Sequence, residues 1–199
     1  MDIQATDEEL MARFRAGARE AFGTLVRRYE GELYGYLRRY LGDKDLAADV
    51  FQNTFLQVFV KAEQFEPGRP VKPWLFTIAT HQAIDALRRA GRHSAARLDD
   101  STDRGDEAPD EGLGRFLECP GPGPVARLEA DERRQLVRDS VAQLPEFLRQ
   151  TVLLAYFQGL KYGDIAEILG IPVGTVKSRL HTALARLQEA WTAQPALKE

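Results

Sequence analysis

Thr175, Lys177, Ser178 and His181 stand near the start of a helical run whose other face is Val176, Leu180, Leu184, Leu187 and Trp191. Hydroxyl, ammonium and imidazole groups held together at a helix N-terminal end suit the base edges of a DNA major groove. From Val173 to Leu187 there are three Lys/Arg and no acid. Arg179, Thr182 and Arg186 line an adjacent face suited to phosphates. The preceding run, Tyr162 to Leu169, offers Ile165, Ala166 and Leu169 inward, and Gly170-Ile171-Pro172 separates the two. Ala166 is small where a crossing helix must come close, and Gly170 permits a tight turn, so the pair has helix-turn-helix proportions. An ordinary helical hairpin with a solvated polar face is the competing reading of the same residues.

A second constellation follows Pro73. Trp74, Thr77, His81, Asp85 and Arg88 fall within one sector at about 100° per residue. The same region carries Arg69, Lys72, Arg88, Arg89, Arg92 and Arg97 against the single acid Asp85. Positive charge for a backbone and a flat ring for a base are what single-stranded DNA needs. A core tryptophan beside a solvated arginine-rich helix end fits equally well. Asp49, Gln52, Asn53 and Gln57 lie beside a Phe51/Phe55/Phe59 stripe, a polar face next to aromatic anchors that either docks another protein or faces water.

Catalytic, metal and cofactor chemistry find no support. His81, His93 and His181 have no ligand pairing at i,i+4, and no nucleophile elbow, zinc-protease word or phosphate-binding glycine loop occurs. Glu8 and Glu9 are read as lying on solvated faces. The chain is therefore expected to be a non-enzyme.

The elements that must position these groups are helical throughout. Thr6-Asp7-Glu8-Glu9 is a capping box. Phe22, Leu25, Val26, Tyr29, Leu33, Leu37 and Tyr40 recur at spacings of three and four up to Gly42. Asp43 or Asp45 can cap the next helix, whose apolar stripe is Leu46, Val50, Phe51, Phe55, Val58, Phe59 and Ala62. Pro67-Gly68 and Pro70 break it, and Pro73 fits the first turn of a helix running to about Arg89. Four further segments are expected at roughly 125–144, 146–158, 162–169 and 173–192. Nothing alternates with period two, so the predicted class is all-α.

Residues 98–124 break the periodicity with four of the ten prolines. They read as a linker between an N-terminal domain, 1–97, and a C-terminal domain, 125–199. At 199 residues the chain has room for two domains. The net charge of −3 conceals a pattern: residues 1–97 carry 15 Lys/Arg against 13 Asp/Glu, 98–124 carry 2 against 8, and 125–199 carry 10 against 9. The acidity is local and does not exclude DNA binding. The single Cys119 excludes a disulfide framework and suits a reducing compartment. With no apolar run of membrane-spanning length and no export-type N-terminus, a cytoplasmic protein without membrane insertion is expected.

In this order, the motifs resemble a bacterial RNA polymerase sigma factor of the extracytoplasmic-function (ECF) group, over nearly the whole chain outside the linker. Asp49-Val-Phe-Gln-Asn-Thr-Phe-Leu-Gln-Val-Phe59 is similar to the part of region two that grips the clamp helices of the polymerase largest subunit. Pro73-Trp-Leu-Phe-Thr-Ile-Ala79 and Ala83-Ile-Asp-Ala-Leu-Arg-Arg89 resemble the part that recognises and opens the minus-ten element. Leu144-Pro145 through Gly174-Thr-Val-Lys-Ser-Arg-Leu180 resembles region four, the reader of the minus-thirty-five element.

The resemblance implies polymerase contacts at Asp49, Gln52, Asn53, Phe55 and Leu56. It implies minus-ten contacts at Arg69, Lys72, Trp74, Thr77, His81 and Arg88, and minus-thirty-five contacts at Thr175, Lys177, Ser178, Arg179 and His181. Implied partners are core polymerase, promoter DNA and an anti-sigma factor, with a monomer when free. The family most often carries Asn where His81 stands, a departure that bears on minus-ten preference. It often carries basic residues at Thr182 and Leu184, whose absence weakens phosphate contacts. Gly163-Asp164 stands where an acidic pair is more usual. About 33 residues from Gly91 to Pro124 span ~30 Å as a coil, against ~70 Å between duplex sites two turns apart. The family's linker threads polymerase channels, a path that a net charge of −6 suits. A two-domain helix-turn-helix regulator acting alone on a palindrome is the alternative.

Overall fold

The computed structural model describes residues 5–96 and 135–192. The chain divides into two compact units, Met1–Leu113 and Gly114–Glu199. The expected linker 98–124 and Cys119 lie outside the described residues. Among the described residues there is no strand, and every regular element is helical, as the periodicity requires.

The N-terminal unit packs α1 (Asp7–Arg15), α2 (Arg19–Leu41), α3 (Lys44–Lys61) and α4 (Val71–Ala96), with a 3₁₀ turn at Ala62–Gln64 after α3. The capping box forms: the Glu9 backbone N–H donates to Thr6 Oγ1 at 3.2 Å and the Thr6 N–H to Glu9 Oε2 at 2.9 Å. Glu8 is not idle either, because its Oε1 accepts the N–H of Val71 at 3.1 Å. The two carboxylates expected on solvated faces thus cap two different helices, each placing negative charge at a positive helix end. Of the two candidate caps for α3, Asp43 acts, accepting from the Leu46 N–H at 2.8 Å.

The core of this unit joins the expected α2 stripe to the back of α4. Tyr36, absent from that stripe, is fully buried against the Tyr40 and Phe76 rings. Its hydroxyl is hydrogen-bonded to Thr80 Oγ1 at 2.8 Å, which satisfies both groups at once. Burial also holds the Tyr36 phenol above the usual tyrosine value.

Two expectations need correction in this unit. Phe59 is 48% exposed rather than in the core, because the inward face of α3 is Ala47, Val50, Thr54, Phe55 and Val58. Helix α4 runs to Ala96, seven residues past Arg89, where the helix was expected to end.

The C-terminal unit contains α5 (residues 135–142), α6 (Glu146–Val152), α7 (Tyr162–Leu169) and α8 (Val173–Thr192). Helix α6 continues into a π turn at Leu153–Phe157, closed by the Gln158 N–H on the Leu153 carbonyl at 3.1 Å. The wider turn keeps Leu153 and Leu154 buried while Tyr156 turns out to 58% exposure. Helix α8 packs on both α6 and α7 through Val176, Leu180, Ala183 and Leu187. Ala183, not Leu184, completes that stripe, and Leu184 is 45% exposed. Likewise Ile168 rather than Leu169 is buried on α7. In both cases the residue one place earlier lies nearer the centre of the buried arc, and only for Ala183 does hydropathy favour the neighbour instead.

Candidate functional site

The turn between α7 and α8 fixes the helix-turn-helix. Gly170 adopts φ +63°, the left-handed region in which a side chain is strained. The Ile171 N–H reaches the Ala166 carbonyl at 3.0 Å and the Gly170 N–H reaches that of Glu167 at 3.3 Å, the paired bonds of a Schellman motif. Pro172 then stands just before the first residue of α8, and its carbonyl accepts from the Thr175 and Val176 N–H groups at 2.9 and 3.2 Å. The angle at which α8 leaves α7 is set by backbone hydrogen bonds.

On α8 the five singled-out residues lie within two turns, a length of ~9 Å. Lys177, Ser178 and His181 are exposed, and Thr175 and Arg179 are half-buried. The Ser178 hydroxyl donates to the Thr175 carbonyl at 3.0 Å, which leaves its lone pairs outward. Thr182 donates likewise to Ser178 at 3.0 Å. The Arg179 guanidinium sits over the Phe147 ring of α6, 5.4 Å from its centroid. Trp191 anchors the far end of α8, its Nε1–H donating to Ser140 Oγ of α5 at 3.1 Å.

On α4 the face is real but graded. Trp74 is half-buried and meets Phe65 edge-on, with ring centroids 5.1 Å apart at 66°. Thr77 is half-buried, its hydroxyl donating to the Pro73 carbonyl at 2.8 Å. His81 and Arg88 are exposed, and Arg88 stands 3.7 Å from Asp85. Arg69 is placed by a type II turn, Glu66-Pro67-Gly68-Arg69. Proline fills its second position, Gly68 takes φ +87° at the third, and the Arg69 N–H closes on the Glu66 carbonyl at 3.2 Å. Lys72 is ion-paired with Glu32 of α2 and lies 5.8 Å from the Phe76 ring centroid. Lys72 through His81 lie in the first half of the helix, with Arg69 in the turn just before it. Arg88 lies 14 residues past Trp74, ~21 Å further along the axis.

On α3 the exposed face runs Asp49, Gln52, Asn53, Leu56 and Val60, at offsets of three and four. Leu56 is 62% exposed and Val60 69%. Phe55, grouped with them from the sequence, is buried against Phe22 and Phe51 instead, with centroids 6.3 and 5.1 Å away. Phe59 sits at the rim, its ring 5.2 Å from Phe14 and 5.5 Å from Phe22. Val60 was missed by the sequence reading, though its i+4 spacing from Leu56 was visible. Among the described residues no cluster of three His, Cys, Asp or Glu could hold a metal, and no helix is long and apolar enough to cross a membrane.

Residues 25–93 match the family model for Sigma-70 region 2, and residues 134–187 that for Sigma-70, region 4. The chain is 33% identical to the ECF RNA polymerase sigma-E factor of Haemophilus influenzae, over 92% of this chain and 94% of that protein. The chain belongs to the ECF sigma factors. It is 32% identical to the RNA polymerase sigma-H factor of Pseudomonas aeruginosa over the full length of both. To the Bacillus subtilis ECF RNA polymerase sigma factor SigW it is 30% identical, over 88% of this chain and 91% of that one. Among solved structures, RpoE of Bartonella quintana, in complex with the anti-sigma factor NepR, shares the fold at TM-score 0.68 with 24% identity, covering 86% of this chain and 96% of that one. CnrH, in complex with the cytosolic domain of CnrY, does so at TM-score 0.66 with 24% identity, covering 96% and 99%.

As an ECF sigma factor the chain is a non-enzymatic initiation factor that directs RNA polymerase to specific promoters. The region 2 match contains the α3 and α4 faces, and the region 4 match contains the helix-turn-helix.

Proposed function

We propose that this sigma factor binds core polymerase through the exposed α3 strip, reads the minus-thirty-five element with α8, and captures unstacked minus-ten bases along α4. The observation that carries this division of labour is the strip Asp49, Gln52, Asn53, Leu56 and Val60. It is an apolar seam with polar flanks on the outer face of a packed helix, and DNA contacts give it no use. Its three- and four-residue spacing suits the side of another helix, as the clamp helices offer.

In region four, Thr175, Lys177, Ser178 and His181 face base edges, while Arg179 addresses the backbone. In region two, Arg69 and Lys72 hold phosphates and Trp74 stacks on a base, with Thr77, His81 and Arg88 continuing the track. Capture of unstacked bases favours the open duplex without ATP, because the binding energy is available only once the base has left the helix.

The domain limits proposed are 1–97 and 125–199, with the acidic segment 98–124 following the nucleic-acid path inside polymerase. The chain works in the cytoplasm and is a monomer when free. The complex of Bartonella quintana RpoE with an anti-sigma factor supports an inhibitory protein partner here.

Run-off transcription with purified core polymerase tests the reading. Discrete transcripts that depend on this protein are expected. Silence from an active core, with tight binding of the free protein to a palindrome, would establish the two-domain regulator instead.

A further inference from the structure

Four cationic side chains of the N-terminal unit stand beside carboxylates. Arg28 pairs with Asp7 at 2.7 Å, Lys72 with Glu32, Arg69 with Glu66 at 3.8 Å and Arg88 with Asp85 at 3.7 Å. Arg179 on α8 is held differently. No carboxylate among the described residues pairs with it, and its neighbour is the Phe147 ring, 5.4 Å from the guanidinium carbon. Phe147 is in the first turn of α6 and is 47% exposed, so burial does not explain an aromatic ring there.

The two kinds of partner have different consequences. A carboxylate orients a guanidinium by taking N–H donors and cancelling its charge. A ring face orients it through the quadrupole, leaving the charge intact and the in-plane N–H fork open. A side chain held this way loses less rotamer freedom when it meets a phosphate.

We infer that Phe147 is a positioning residue for promoter binding: its ring aims Arg179 at a backbone phosphate of the minus-thirty-five element without neutralising it. This rests on the proposed region-four reading. No periodicity reveals this pair, since Phe147 and Arg179 are 32 positions apart and meet only because α6 packs on α8.

The test uses full-length protein with core polymerase, on duplex promoter DNA carrying the minus-thirty-five element, across a series of potassium chloride concentrations. Phe147→Leu keeps apolar bulk and removes the quadrupole, and should weaken binding about two- to five-fold. The slope of log affinity against log salt should become shallower, by up to about 0.9, the amount for one phosphate. Phe147→Tyr should match the parent, and Phe147→Leu should add nothing in an Arg179→Ala background. An unchanged melting temperature for Phe147→Leu excludes loss of fold as the cause. If Arg179→Ala is impaired and Phe147→Leu binds like the parent, or the two losses multiply, the positioning role is overturned and the region-four reading stands. If Arg179→Ala itself binds like the parent, the assignment of Arg179 to the promoter fails, and the role of Phe147 with it.

Discussion

Lys72 of α4 and Glu32 of α2 form an ion pair across the helix interface, beside the Phe76 ring. Both side chains are about 30% exposed, so solvent screens the pair only in part. Its weight falls on DNA binding, because a phosphate must compete with Glu32 for the ammonium. Glu32→Gln is expected to tighten holoenzyme binding to a single-stranded minus-ten oligonucleotide several-fold and to steepen its salt dependence by about 0.7, the single-strand amount for one phosphate. Fluorescence anisotropy across a salt series reads both quantities. In a Lys72→Met background the effect should vanish, and its persistence would mean that Glu32 repels DNA directly.

Trp74 separates melting from docking. Its half-buried ring, edge-on to Phe65, offers a face to a base once that base has unstacked. Trp74→Ala should therefore lower the yield of permanganate-reactive open promoter by at least about five-fold while changing closed-complex affinity less than two-fold, given ~1–3 kcal/mol per stacked base. Equal losses in the two assays would remove Trp74 from base capture.

The α3 strip predicts a contrast between neighbours. Leu56→Asp and Val60→Asp alter residues that are mostly exposed, so melting should be nearly unchanged. Affinity for core polymerase should fall about 30-fold or more, the scale of a lost interface anchor. Val58→Asp, two positions from each, places a charge in the core and should unfold the domain. Calorimetry and competition for core polymerase distinguish these outcomes.

Alkaline stability follows from two phenols. Tyr36 is held above its ordinary value by burial, against a smaller opposite pull from its Thr80 hydrogen bond. Tyr29 is raised by burial first, then by its hydrogen bond to the Asp7 carboxylate and that group's charge. Both therefore stay protonated in the folded chain at a pH where the unfolded chain releases its protons. Stability is fully present below pH ~10 and falls above it, by up to ~1.4 kcal/mol per pH unit for each tyrosine. Urea denaturation between pH 9 and 11.5 should show this slope, with one tyrosine's share removed in Tyr36→Phe. At neutral pH that variant should cost about 1 kcal/mol for the lost hydrogen bond. An identical slope in Tyr36→Phe would contradict the assignment.

What the sequence disclosed was whatever depends on near neighbours. The Thr6 capping box and the turn at Gly170 are local hydrogen-bonding problems with local solutions, and both were legible, while the α3 cap was narrowed to Asp43 or Asp45. So was the outward placement of Lys177, Ser178 and His181, which follows from the opposed stripe. The misses share a different cause. Phe55 and Phe59 have equal hydropathy, and only the packing of α2 and α4 against α3 decides that one is buried and the other left at the rim. Glu8 reaches Val71 across 63 positions, and Arg179 reaches Phe147 across 32. Such partnerships have no periodicity to reveal them.

The seam on α3 also governs how the protein fares in the absence of a partner. Leu56, Phe59 and Val60 are held in water by a rigid helix, so the free chain cannot tuck them away by relaxing. Only when copies far outnumber their partners would two of these monomers meet through the same seam, and clumping would then begin from a fully folded state. Solubility is then a matter of stoichiometry: the cell tolerates about as many copies as it has surfaces to cover them. Overproduction without a companion should yield precipitate that retains its helical content.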